Sequence, residues 1–209
     1  MTDPDDVDTE QLLQRAGQGE RQAREQLFAR LRPRLRQAIS LRLDRRLAAR
    51  VDPSDVVQET LAEADRRFDE YLRDRLLPFY PWLRQLALER IIEVHRRHVR
   101  AVKRSVEREE RSLPLPDESA VELARQLFAR GSSPSTPLRR REMTARIQAA
   151  LARLAARDRE LLVLRHLEQM PTRDVAAVLG LSEGAIKMRQ LRALERLRAL
   201  LDDFAEGML

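Results

Sequence analysis

Apolar residues recur at helical spacing along almost the whole chain, and no stretch alternates convincingly with the period of two that a half-buried strand requires. That pattern leaves one fold class, all-α. "TEQLLQRAGQG" reads as a short helix ended by glycines. A longer amphipathic helix is expected from about Glu20, with Leu27, Leu31, Leu35 and Ile39 on one face and an irregularity at Pro33. The clearest start signal lies in "VDPSDVVQETLAEADRRF". There Asp52 stands as N-cap, Pro53 takes the first helical position, whose N–H would be unpaired anyway, and Asp55 takes the third. Val57, Thr60, Leu61, Ala64 and Phe68 then form one stripe, which leaves Asp55, Gln58, Glu59 and Glu63 largely outside it.

"DEYLRDRLLPFYP" interrupts the pattern with two prolines and several aromatics, and reads as a loop with little regular helix. A long helix is expected from about Trp82 to Arg111, apolar at Leu83, Leu86, Ala87, Ile91 and Val94 and increasingly basic beyond them. "SLPLPDES" and "RGSSPSTP" bracket one short amphipathic helix, "SAVELARQLFAR", in the manner of a connector between domains. Further helices follow around Ile147, Leu151 and Leu154 and from near Asp158. The organisation predicted is two small helical domains, residues 8–111 and 138–202, joined by a flexible connector over 112–137 that carries the short helix.

A chain of 209 residues is long enough for one or two domains with cores of their own. No apolar run approaches the roughly 18 residues that span a bilayer, and "MTDPDDVDTE" is acidic, unlike a secretory leader; a soluble, cytoplasmic protein is expected. With no cysteine, disulfide frameworks, thiolate metal sites and thiol nucleophiles are excluded. His95 and His98 are three apart but lack a third ligand nearby, so neither a metal nor any other cofactor is expected. The formal net charge of +6 suits an anionic partner. Almost all the positive charge is arginine, since only Lys103 and Lys187 are lysines, and it is segregated. Six basic side chains lie between Arg90 and Arg104 against the single Glu93, whereas the first ten residues carry four aspartates, one glutamate and no base.

Three constellations carry possible function. In "LGLSEGAIKMRQLRAL" a corner at Gly180 separates two short apolar-periodic segments. Ser182 can cap the second and Glu183 suits its first turn, while Lys187, Arg189 and Arg192 load it with positive charge. That is how a helix-turn-helix reads, with the helix after Ser182 destined for a DNA major groove, although a helical hairpin with a solvated basic face looks similar. Asp52, Asp55, Glu59 and Glu63 could in principle gather a magnesium ion for a nuclease. No lysine or histidine stands near to act as acid or base, however, and acidic residues at a helix start are ordinary capping chemistry. A face for docking a basic protein surface suits them better. From Trp82 to Arg104, an aromatic at a loop-helix boundary adjoins a dense basic face. Single-stranded nucleic acid needs that pairing, cations for phosphates and rings for bases drawn from the stack.

Taken together these pieces resemble one family, the bacterial RNA polymerase sigma factors of the extracytoplasmic-function type. "DPSDVVQETLAEADRRF" resembles the helix that binds the polymerase clamp, "PWLRQLALERIIEVHRRHVR" the promoter-melting helix, and "ARDRELLVLRHLEQMPTRDVAAVLGLSEGAIKMRQLRALERLR" the C-terminal domain. The resemblance implies that Asp55, Gln58 and Glu59, with Asp52 at their head, bind the clamp coiled coil of the large polymerase subunit. It implies that the loop around Asp69–Tyr80 captures a flipped base of the minus-ten element, with Trp82, Arg90, Arg96, Arg97 and Arg100 holding melted DNA. Ser182, Glu183, Lys187, Met188, Arg189 and Arg192 would lie at or beside the minus-thirty-five duplex. The "GSSPSTP" tether would pass through the RNA-exit region of the polymerase, and an anti-sigma protein is a further partner to expect. This chain differs from the family pattern at Glu89 and Glu93, where asparagine and aspartate are common, and at Gln190, where an apolar residue is common. Such a protein catalyses no bond chemistry. The alternative reading is a stand-alone helix-turn-helix regulator, which would need a dimer to read paired half-sites.

Overall fold

The computed structural model describes residues 4–43, 50–99, 115–128 and 137–206, and every regular element among them is helical. In chain order they are α1 (Pro4–Gly17), α2 (Arg21–Ser40), α3 (Pro53–Arg66), α4 (Phe68–Asp74), α5 (Phe79–Val99), α6 (Asp117–Phe128), α7 (Pro137–Arg153), α8 (Ala156–Leu162), α9 (Thr172–Leu179) and α10 (Glu183–Glu206). α8 runs on into a π-helical turn at Val163–Leu167. Expectations for residues 100–111 and for all but the last proline of "GSSPSTP" fall outside the described residues.

The chain divides into two compact units, the first made of residues 1–40 and 46–103 and the second of 41–45 and 104–209. In the first unit α1 and α3 pack on α2, and α5 packs on both α2 and α3. The apolar stripe of α2 is fully enclosed at Ala23, Leu27, Leu35 and Ile39. Pro33 sits inside this helix without ending it. α3 starts as its sequence dictates, since the Asp52 carboxylate accepts from the Ser54 N–H at 2.7 Å ahead of Pro53. Its buried face is Val56, Val57, Thr60, Leu61 and Ala64, and the Thr60 hydroxyl donates to the Val56 carbonyl at 2.7 Å.

The segment expected to be a loop is mostly helix. Residues 68–74 form α4, and α5 begins at Phe79 rather than at Trp82. Only residues 75–78 turn the corner, with Arg75 in the left-handed region at φ 37°. The prolines misled the local reading because both sit where helices tolerate them, Pro78 before α5 and Pro81 in its first turn. Burial of the aromatics then overrides the weak local propensity. Phe68, Tyr71, Phe79 and Tyr80 are all buried, and ring contacts join Phe28, Phe68, Tyr71, Phe79 and Trp82 at centroid distances from 4.5 to 6.1 Å.

The core of the second unit is built from Leu123 of α6, Ile147, Ala150 and Leu151 of α7, Leu162 and Val163, and Ala193 and Leu197 of α10. The helix expected in the connector thus contributes a fully buried leucine. Residues 41–43 belong to the same body. Leu43 is buried, the Leu41 carbonyl accepts from the Ser119 hydroxyl at 2.7 Å, and the Arg42 guanidinium reaches Glu160 and Glu168.

Candidate nucleic-acid interface

The helix pair of "LGLSEGAIKMRQLRAL" meets at Gly180, whose left-handed backbone (φ 64°, ψ 38°) ends α9 and lets the Leu181 N–H return to the Ala176 carbonyl at 3.0 Å. A residue with a Cβ is strained in that conformation, which is why glycine stands at the corner. Ser182 then caps α10, its hydroxyl accepting from the Ala185 N–H at 3.2 Å. Ile186, Ala193 and Leu197 point into the core, each with no exposure, while Ser182, Glu183, Lys187, Met188 and Arg192 are exposed.

Two residues of this helix are tied down by partners the sequence did not reveal. Arg189 donates through Nε to Asp158 at 2.8 Å, and Arg196 donates to the other oxygen of the same carboxylate at 2.6 Å. Asp158 is 1% exposed. Read along the chain it is only a first-turn acid of α8; in space it is the clasp that sets the rotation of the basic face. Gln190 is likewise turned inward. Its amide oxygen accepts from Arg165 at 3.4 Å and its nitrogen lies 3.2 Å from His166 Nε2. With the oxygen facing a guanidinium, the amide N–H donates to the ring, which requires a neutral imidazole. Burial, with Arg165 adding repulsion, holds His166 below the usual histidine range.

That arrangement gives a pH prediction. A histidine whose folded pKa is depressed binds its proton more readily in the unfolded chain, so stability is intact at pH 7 and falls as pH drops below about 6.5. Thermal unfolding of the full chain from pH 7.5 to 5 should show a declining Tm, and His166→Gln should flatten the decline. Equal slopes in the two proteins would remove His166 as its source.

In the first unit, Asp55, Gln58 and Glu59 are exposed on α3, opposite the buried Val56–Val57 face, and Asp52 is exposed at the cap. The sequence assigns Glu59 and Arg90 to different partners, but the structure brings them together. Arg90 donates to both Glu59 and Glu93, and Arg97 donates to Glu93 at 3.1 Å. The hydrogen bonds from Arg90 hold the Glu59 and Glu93 carboxyls below the usual carboxylate range. Arg96 is exposed, and Arg97 keeps most of its surface open despite its partner. Arg100 lies outside the described residues.

Trp82 is half-buried at the edge of the aromatic cluster, 4.5 Å from the Tyr71 ring and 5.5 Å from Phe79 between centroids. The Tyr71 hydroxyl donates to the Leu77 carbonyl at 3.2 Å, and burial pushes its phenol up to about 12. That bond pins the 75–78 corner over the rings. Leu76 is 88% exposed at its tip, a residue that sequence patterning passed over because a lone leucine beside a proline carries no periodic signal.

None of the described helices is long and apolar enough to cross a membrane. Residues 144–197 match the family model for sigma-70 region 4, the stretch that holds the Gly180 corner and the Ser182-capped helix. The chain is 34% identical over 156 residues to the RNA polymerase sigma factor CnrH of Cupriavidus metallidurans, covering 74% of this chain and 76% of that protein. It is 31% identical over 205 residues to the RNA polymerase sigma factor NccH of Alcaligenes xylosoxydans xylosoxydans, covering 96% and 97%. Among solved structures it is similar to CnrH in complex with the cytosolic domain of CnrY, with a TM-score of 0.51 and 28% identity over 96% of this chain and 99% of that one. Likeness on this scale, running through both helical units as well as the helix-turn-helix, places the chain among the RNA polymerase sigma factors of the extracytoplasmic-function type.

Proposed function

We propose that this sigma factor divides its work between three surfaces. The exposed strip of Asp52, Asp55, Gln58 and Glu59 on α3 docks on core RNA polymerase. The corner at 75–78 with Trp82, Arg90, Arg96, Arg97 and Arg100 receives melted minus-ten DNA, and the exposed side chains of α10 read duplex DNA upstream. The observation that carries this reading is the place of the region 4 match, which falls on a capped helix with its apolar residues enclosed and Lys187, Met188 and Arg192 turned out. Likeness to sigma factors over nearly the full chain favours it over a regulator acting alone. The protein works in the cytoplasm and catalyses no bond chemistry. Free energy from captured, unstacked bases offsets the few kcal/mol per step needed to open the duplex. A further protein partner belongs with this reading, of the anti-sigma kind that the resemblance implies, and CnrH was solved in complex with the cytosolic domain of CnrY.

The test is charge reversal on α3. Glu59 is a poor choice, because it holds Arg90 and its reversal would set two guanidinium groups against each other. Asp55→Arg with Gln58→Arg changes two exposed positions and should abolish co-purification with core polymerase, like charges at an interface costing several kcal/mol. Circular dichroism should be unchanged. Retained binding in the folded double variant would remove this face from the polymerase contact.

A further inference from the structure

α10 presents a stripe that neither its capping nor its charge explains. Ile186, Ala193 and Leu197 define the buried face, and at 3.6 residues per turn the opposite face is Gly184, Met188 and Leu191, with Glu195 one turn further on. Met188 and Leu191 are each 51% exposed. Large apolar side chains so exposed, three apart on one helix, call for an explanation beyond chance scatter. Lys187 is exposed on one flank of the stripe and Arg192 and Arg196 on the other. Gly184 belongs to the same feature. A Cβ added there would meet nothing within 4 Å, so packing does not require glycine, and glycine inside a helix costs stability. What it leaves is space on the outward face in the first turn, where a partner would come closest.

A protein partner would meet this apolar strip between rows of cations, whereas a DNA major groove is lined by phosphates on both sides and offers apolar surface at one group only, the C5-methyl of thymine. Charge complementarity thus selects the groove. We propose that Met188 and Leu191 read thymine methyl groups in the upstream promoter element, with Gly184 allowing the helix to sit close and the flanking cations contacting phosphate. This rests on the reading of α10 as the duplex-binding helix and adds what it reads. Methionine suits the task, being unbranched and able to adjust to a methyl on either strand. The resemblance already places Met188 beside the duplex, but Leu191 passes for core in sequence, and only the structure sets the two side by side on one exposed face.

The experiment removes the methyl and nothing else. Upstream elements are first selected from a random library by in vitro transcription with full-length protein and core polymerase, and each thymine of the winner is then replaced in turn by uracil. Initiation should fall about fourfold at one or more thymines, the factor that goes with burying one methyl-sized group. Met188→Ala/Leu191→Ala, at exposed positions, should keep its circular dichroism and its binding to core polymerase while transcribing thymine and uracil templates equally. An element without thymine, uracil tolerated at every position, or a methyl effect undiminished in the double variant would each overturn the proposal while leaving α10 a duplex reader. Loss of core-polymerase binding in the double variant would overturn it in favour of a protein contact. Initiation that ignores the upstream sequence altogether would overturn the reading of α10 itself, and this inference with it.

Discussion

Ile186→Asp should unfold the C-terminal unit, and Lys187→Ala, one residue along, should leave it intact. Adjacent positions on a helix point about 100° apart, so neighbours in sequence meet opposite environments. Ile186 has no exposure at all and lies between Ala185 and Lys187, both of which are exposed. A carboxylate placed there loses its hydration in an apolar core without a cation to meet it, and the isoleucine packing is lost as well. The combined cost should exceed about 4 kcal/mol, a large share of the roughly 5–15 kcal/mol that a domain has to lose. The full chain should show its second unit melted or missing from the thermal transition, whatever promoter is supplied. Lys187→Ala should shift stability by no more than about 0.5 kcal/mol and act instead on transcription, by roughly 1–3 kcal/mol at one base position if the ammonium meets a base edge. A lysine that only neutralises phosphate would weaken all promoters alike and reduce the salt slope by about one contact. A folded Ile186→Asp protein would mean that α10 packs by another face.

The helix-turn-helix was legible in sequence because its determinants are local. A glycine with positive φ, a hydroxyl three residues before the amide it caps, and apolar residues at 3.6 spacing all act within one or two turns. The same holds for α3, where Asp52 and Pro53 announce the start and the stripe follows. What the sequence concealed is everything held by a distant partner. The Glu59–Arg90 pair is 31 residues apart, and the Asp158–Arg189 pair also spans 31. Nothing in the local pattern of either arginine distinguishes it from its free neighbours, so both read as phosphate ligands, and both are in part clasps. Glu93 and Gln190 gain an explanation in the same way. Each stands where the family commonly has another residue, and each holds a partner inside its own unit, Arg90 and Arg97 for the first and Arg165 for the second. The loop misread at 69–81 failed for a related reason. Proline is a strong local signal, and what keeps α4 helical is the burial of Phe68 and Tyr71 against rings from α2 and α5.

Arg42 shows how much stability such a distant pairing can carry. Its guanidinium is 2% exposed and forms a fork on Glu160, with Nη1 at 2.8 Å and Nη2 at 2.9 Å from the two carboxylate oxygens, while Nη2 also reaches Glu168 at 2.9 Å. Glu168 has no side-chain exposure and Glu160 has 17%. Arg42→Ala would remove the cation that the two enclosed carboxylates share, and breaking a buried pair of this kind costs about 3–5 kcal/mol. At roughly 4–8 °C per kcal/mol for a domain of this size, the second unit should melt more than about 10 °C below wild type. Arg42→Lys should recover only part of the loss, because one ammonium cannot reproduce a planar fork that spans two carboxylates. The informative control is Arg42→Met with Glu160→Gln and Glu168→Leu. If the penalty comes from the loss of the shared counter-charge, removing the carboxylates along with the arginine should restore most of the Tm even though the Arg42 ion pairs are gone. Differential scanning calorimetry of the full chain separates these cases. An Arg42→Ala protein melting within 2–3 °C of wild type, on the same roughly 4–8 °C per kcal/mol scale, would show that the Arg42 guanidinium contributes little to the second unit. A triple variant no more stable than Arg42→Ala would show that the guanidinium acts through its packing and not through the charges it covers.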